Sequence, residues 1–300
     1  MTSSKSTTLS RSLDRVFRGV LGLLAAVSGG MVLLIVSYLV TGAWPAIEAG
    51  RLAAFFTDER WQPGSARDPQ FGVVSMLVGS LLVTLLAVGL ATPVGVASAV
   101  FHRFYAPPVL ERWNRRMLEL LIGVPAVVFG FWGLMTVVPL IVRLAPETPG
   151  QSLLAGGIVL ALMILPIVTL TTQAALQAVP RAQLLAAAGL GLGRARTIWA
   201  VALPAARGGI GAGVLLSLAR AIGETMAVVL VCGNIPQIPD SLFDPIRPVT
   251  STIALEMGYA TASHKALLFC AGLVLVLFTA VFVGWHSFRR QMADTGTGGA

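Results

Sequence analysis

Six apolar runs, each long enough to cross a bilayer, decide what this chain can fold into. They cover residues 20–40, 71–101, 120–142, 153–179, 208–232 and 266–285. About 20 consecutive apolar residues span the roughly 30 Å of hydrocarbon in a membrane. Composition agrees: 56% hydrophobic residues, 11% charged residues and a mean hydropathy of +0.83 lie outside the range of soluble globular chains. The expected fold is therefore all-α, an integral membrane protein with six transmembrane helices. The second run is too long to stand upright in a bilayer and carries Pro93, so it is expected to tilt, kink or project. The third contains Pro125 and Pro139. A proline inside a span frees backbone carbonyls that neighbouring helices or a water-lined cavity must satisfy, and broken spans of this kind suit transporters.

The basic residues set the expected topology, because short loops rich in Lys and Arg stay in the cytoplasm. Lys5, Arg11, Arg15 and Arg18 precede the first run; Arg103, Arg112, Arg115 and Arg116 follow the second. Arg181, Arg194, Arg196 and Arg207 follow the fourth, and Arg289 and Arg290 follow the sixth. The opposite connections hold only Arg51, Arg60, Arg67, Arg143, Arg247 and Lys265, diluted by Glu48, Asp58, Glu59, Asp68, Glu147, Asp240, Asp244 and Glu256. Both termini are thus expected in the cytoplasm. The net charge of +8 follows from this inside bias; the basic residues form no stripe, and no nucleic-acid partner is implied. The first run has the basic flank of a signal peptide. Its apolar core exceeds the 7 to 15 residues of a signal h-region, and Trp44 and Pro45 stand where small residues would precede cleavage, so it reads as an uncleaved span.

Arg220 and Glu224, four residues apart, interrupt the otherwise uncharged run 208–232. A charge at the centre of a bilayer costs roughly 2.5–3.5 kcal/mol on insertion scales, so something must offset it. On one helix face the two could pair with each other. A guanidinium also fits a tetrahedral oxyanion through two parallel charge-assisted hydrogen bonds, so an anion on a translocation path could compete for Arg220, with Glu224 as counter-ion and gate. A structural ion pair that fixes helix packing accounts for the spacing equally well. Ser217 lies one turn before Arg220 and joins the candidate path. Ser80, Thr84, Thr169, Thr171, Thr172 and Gln173 are weaker candidates, since Ser and Thr in spans usually bond their own helix. Residues 250–252 could cap a short helix in an outer stretch broken by Pro236, Pro239, Pro245 and Pro248.

Catalytic signatures are absent from the sequence. It has no GxxxxGK[ST] phosphate loop, its only lysines being Lys5 and Lys265, and no HExxH or GxSxG motif. His102, His264 and His286 are dispersed, and Cys232 and Cys270 have no metal-site or disulfide spacing. No cofactor or metal is expected on this chain. The connection 180–207 is more informative: Pro180 can open a helix, the Ala-rich stretch 184–188 favours one, and Gly189, Gly191 and Gly193 break it. A second short helix is expected over 194–202, stopping near Pro204. Composition leaves open whether this basic helix–hinge–helix is an ordinary interfacial loop or a docking element.

AAAGLGLGRARTIWAVALP, residues 186–204, resembles the cytoplasmic loop of ABC-transporter permease subunits, with Ala186, Ala187, Gly191, Val201, Leu203 and Pro204 in its frame. ARAIGETMAVVLVCGN (219–234) is similar to the phosphate-importer permeases, of the PstC type rather than the PstA type. FFTDERWQP (55–63) with Phe71 and Gly72, and ELLIGVPAVVFGFWGL (119–134), look like two further segments of that family. The resemblance covers nearly the whole chain. It departs at Leu184 and Leu185, where the family often has a basic and an acidic residue; docking by shape and apolar contact is then expected.

The resemblance implies a type I (MetI-like) importer permease that moves inorganic phosphate across a bacterial inner membrane by alternating access, with Arg220 and Glu224 acting in transport. It also implies a PstA-like second permease, two copies of a cytoplasmic ATPase that uses ATP and Mg, and an extracytoplasmic phosphate-binding protein as partners, with membrane lipid around the chain itself. Residues 71–288 would be the transport core, with the first span added to five others and residues 1–19 and 289–300 as cytoplasmic tails. A permease for molybdate or sulfate, or a passive anion channel, are the alternatives.

Overall fold

A computed structural model describes residues 4–50, 52–63, 65 and 70–295; the loop charges Arg51, Arg67 and Asp68 lie outside them, as do the side chains of Lys5, Arg11, Arg15, Arg289 and Arg290. The chain runs α1 (Ser4–Glu48), α2 (Leu52–Thr57), β1 (Trp61–Gln62), β2 (Gln70–Phe71), α3 (Val74–Phe104), α4 (Pro108–Gly123), α5 (Ala126–Trp132) and α6 (Val138–Leu144). It continues with α7 (Leu153–Gln177), α8 (Arg181–Gly189), α9 (Arg194–Thr197), α10 (Leu203–Ile222), α11 (Met226–Val231), α12 (Val249–Glu256) and α13 (Ala262–Thr295). β1 and β2 pair antiparallel, Trp61 opposite Phe71. Among the described residues six helical segments are long and apolar enough to span a membrane: Phe17–Glu48, Val74–Phe104, Ala126–Leu144, Leu153–Gln177, Arg194–Ile222 and Ala262–Phe282.

α3 passes unbroken through Pro93, and its 31 residues would measure about 46 Å at 1.5 Å each, so it exceeds the hydrocarbon thickness and must tilt or project. Two of the sequence boundaries are corrected. The third span begins at Ala126, because Val124 and Pro125 are extended (ψ 127° and 140°) and separate it from α4. The helix expected to stop near Pro204 continues through it: α9 passes into α10 by a π-helical turn over Ile198–Ala202.

The same device recurs in the third span, where a π turn over Gly133–Val137 leads into α6 two residues before Pro139. A proline cannot donate to the carbonyl four residues back and its ring collides with it. Widening the preceding turn relieves both problems: Val138 N–H donates to Gly133 O and Leu203 N–H to Ile198 O, each five residues back.

α7 is the central helix, packed against α3, α10 and α11. Small residues permit that approach, as in membrane helix pairs generally. A Cβ on Gly95 of α3 would stand 2.8 Å from Val168 Cγ1, and one on Gly156 of α7 would stand 2.5 Å from Cys232 Sγ. α1 lies outside this bundle along α13, with Tyr38 edge-on to Phe269 at 5.4 Å between centroids.

Irregular backbone inside a membrane protein is tolerated where protein satisfies it. The C-terminus of α11 meets that condition carbonyl by carbonyl. Val229 O accepts from Asn234 Nδ2 (2.7 Å), Leu230 O from Gln151 Nε2 (2.9 Å), Val231 O from Ser152 N (3.1 Å) and Cys232 O from Ile246 N (2.9 Å). Two successive left-handed residues, Gly233 (φ 86°) and Asn234 (φ 56°), turn the chain there.

Candidate functional site

The run 208–232 is not one helix. α10 ends at Ile222, Gly223 caps it through N–H bonds to Ala219 O and Ala221 O, and α11 starts again at Met226. Arg220 therefore stands in the last turn of α10 and Glu224 in the break, and the expected charge pair in the middle of a continuous helix is corrected. Helix polarity favours both positions, since a cation is stabilised at a C-terminus and an anion at an N-terminus.

The two side chains do meet: Arg220 Nη1 lies 3.0 Å from Glu224 Oε2. Their surroundings differ. Glu224 is buried, with 5% of its side chain exposed, whereas Arg220 is 50% exposed. Glu224 Oε1 also accepts from Thr225 N (3.1 Å), just before α11, and from Ala227 N (3.4 Å) in its first turn. Thr250 of α12 donates through its hydroxyl to the backbone carbonyl of Glu224 at 2.7 Å. The carboxylate is thus committed to holding the break together. The guanidinium uses one nitrogen on Glu224 and leaves the rest of its donor fork facing outward, able to take an oxyanion without losing its anchor.

Ser217 is brought near in sequence only. It is fully buried and its hydroxyl donates to Gly213 O at 2.9 Å, so it packs rather than lining an open face with Arg220. Ser80, Thr84, Thr169 and Thr171 likewise donate to carbonyls of their own helices. Residues 250–252 do not cap α12, whose N-cap is Pro248. Thr252 bonds back to Pro248 O, and Ser80 Oγ accepts the N–H of Val249.

The connection 180–207 folds as two helices around a glycine. Gly191 (φ 77°) follows α8; its N–H donates to Ala188 O (2.9 Å) and the N–H of Leu192 to Ala187 O (3.1 Å), a Schellman cap. Ala187 is buried while Ala186 faces out, and Leu203 and Pro204 open α10. The two leucines that replace charged residues part ways. Leu184 packs against the cluster of Ala99, Leu176, Val179, Ala202 and Ala206, and Leu185 is exposed with Leu190 and Trp199. Arg194 sits over the ring of Tyr105 at 5.4 Å, fastening the loop to the end of α3.

A second polar centre escaped sequence reasoning. Glu256, at the end of α12, is buried and receives Arg247 Nη1 at 2.7 Å, His264 Nε2 at 2.8 Å and Trp61 Nε1 at 2.8 Å. Glu256 and Arg247 read as loop charges and His264 as a dispersed histidine, because nothing local links residues 61, 247, 256 and 264. The one available signal was the tryptophan in FFTDERWQP, an indole donor beside an apolar core.

Residues 91–288 match the family described as binding-protein-dependent transport system inner membrane components. The chain belongs to that family. It is 38% identical to the probable ABC transporter permease protein YqgH of Bacillus subtilis (strain 168), over 85% of this chain and 82% of that one. It is 32% identical to the phosphate transport system permease protein PstC of Mesorhizobium japonicum, over 87% and 84%, and 32% identical to PstC of Pasteurella multocida, over 82% of each. In structure it resembles an inward-facing MetNI methionine ABC transporter chain, with a TM-score of 0.56, 15% identity, and 75% of this chain and 95% of that one covered. That likeness shows the fold, an ABC-importer permease fold. The protein is thus a multi-pass membrane transport component.

Proposed function

We propose that this chain is the PstC-type permease subunit of an ATP-driven importer of inorganic phosphate, and that Arg220 meets the anion during passage. The observation that carries the reading is the division of labour at the helix break. A buried Glu224 fixes a guanidinium that is half exposed and keeps most of its donors free, on a chain 32% identical to phosphate permeases. In this role Glu224 positions Arg220 and caps α11, and Ser217 supports the helix behind it.

The permease would form the path with a PstA-like second subunit, receive phosphate from an extracytoplasmic binding protein, and rest on two copies of an ATPase that use ATP and Mg. The segment 180–207 would dock on that ATPase through the exposed Leu185, Leu190 and Trp199, with both termini on the same cytoplasmic side. The chain itself needs no cofactor for this part.

Radiolabelled phosphate uptake into vesicles holding the full complex tests the reading, with sulfate and molybdate as competitors. Arg220→Gln is expected to lower uptake at least tenfold while the complex still assembles, and excess sulfate or molybdate is expected to leave wild-type uptake unchanged. Normal uptake by an assembled Arg220→Gln complex would reduce the pair to a structural clamp. Competition by molybdate or sulfate would reassign the substrate, and uptake that survives ATP depletion would favour a passive channel.

A further inference from the structure

α4, which is not among the six spanning segments, turns an apolar side away from the protein. At roughly 100° per residue, Val109, Trp113, Met117 and Leu120 fall along one side, and all four are exposed. Leu118, the buried residue of α4, lies roughly 100–140° around the helix from Met117 and Trp113, so α4 packs on the bundle by a different edge. The apolar stripe is therefore free.

Its border is basic. Arg112 and Arg116, one turn apart, run beside Val109 and Leu120. Arg115 is paired with Glu119 at 2.9 Å, whereas among the described residues neither Arg112 nor Arg116 has an ion-pair partner; Arg112 Nε donates to Pro108 O. Short connectors tie α4 to two spanning segments: residues 105–107 join it to the end of α3, and residues 124–125 to the start of α5.

We propose that α4 lies along the membrane interface, with its Val109–Trp113–Met117–Leu120 stripe among acyl chains and Arg112 and Arg116 bound to the phosphates of anionic phospholipid. A helix with a cationic polar face and a Trp- and Leu-bearing apolar face has this preference, and long arginine stems let the guanidinium reach headgroups from the edge of the stripe. The site is independent of the transported solute. It would make the junction between α3 and the third span sensitive to the charge of the leaflet.

The test uses the full complex in nanodiscs of phosphatidylcholine containing brominated phosphatidylglycerol or, separately, brominated phosphatidylcholine, each titrated over the same range of fractions. The difference in emission between the wild type and Trp113→Phe isolates Trp113. Brominated phosphatidylglycerol is expected to quench that emission at roughly tenfold lower lipid fraction than brominated phosphatidylcholine, an advantage lost in an Arg112→Gln/Arg116→Gln variant with unchanged circular dichroism. Equal quenching by both lipids, or the same advantage in the variant, would overturn headgroup recognition. Quenching in the isolated chain but not in the complex would show that a partner subunit covers the stripe and would overturn the proposal outright.

Discussion

Removing the charge of Glu256 is the most informative single perturbation of this structure. The carboxylate has 3% of its side chain exposed and Arg247 has 12%, so neither can turn to water for compensation. Glu256→Gln keeps the shape, and the amide oxygen can still face Arg247 at the 2.7 Å contact. Its NH2 group then points at Trp61 Nε1 and His264 Nε2, which both lie 2.8 Å from Oε2. His264 can change tautomer and accept; the indole N–H cannot. The variant therefore strands one buried donor and one buried cation, and breaking a buried pair by deleting one partner costs about 3–5 kcal/mol. At about 2 °C per kcal/mol for a chain of this size, the thermal midpoint should fall by roughly 6–10 °C. The assay is fluorescence-detected unfolding in nanodiscs at one fixed scan rate, on Glu256→Gln, Glu256→Met, Arg247→Met and the double variant Glu256→Met/Arg247→Met. The double variant should be more stable than either single one, because an apolar pair of similar volume carries no orphaned charge. Single variants that unfold at the wild-type temperature, or effects that simply add, would show that Glu256 and Arg247 are not a coupled buried pair.

Gly191→Val places a β-branched residue at φ 77°, where no neighbour lies within 4 Å of a new Cβ; the cost is backbone strain of roughly 1–2 kcal/mol rather than a clash. Transport-coupled ATP hydrolysis by the full complex should be lost, whereas Gly191→Asn, which tolerates that conformation, should keep most of it; equal rates in both would separate the loop from coupling. Asn234→Ala removes the side-chain donor to Val229 O and strains a residue at φ 56°, so it should destabilise by about 2–3 kcal/mol in chemical unfolding. Asn234→Gly should cost about 1 kcal/mol less, since only the bond is lost. Gly95→Val would drive methyl groups into Val168 and should lower the unfolding midpoint by an amount corresponding to about 1–3 kcal/mol of overpacking, and an unchanged midpoint would mean that α3 and α7 are not in contact there.

The spans were legible because hydrophobicity over 20 residues is a property of the solvent they enter, and tertiary context adds little to it. Their ends were less so. Pro204 reads as a stop, and only the widened π turn over 198–202 lets the helix through; nothing in the sequence announces a hydrogen bond from Leu203 to Ile198. The hinge at Gly191 was visible because a Schellman cap is a local object made by residues 187–192. The network at Glu256 was invisible for the opposite reason, being assembled across 195 residues from Trp61. Arg220 and Glu224 fell between these cases. Their spacing announced a pair, and the Gly223 break that sets their different exposures went unread inside an apolar run.

That break changes what the pair can mean. In a continuous span both charges would need an external reason to be there. Here Glu224 has an internal one: its carboxylate accepts the N–H groups of Thr225 and of Ala227 in the first turn of α11, and its backbone carbonyl is held by Thr250 of α12. Arg220 gains from the C-terminal end of α10 and from one contact with that carboxylate, but half of its side chain remains outside the packing. A purely structural cation would be expected to use more of its donors on the protein. The excess of donors over partners sits on the arginine, so Arg220 is the group suited to meet an anion, and Glu224 holds it in place.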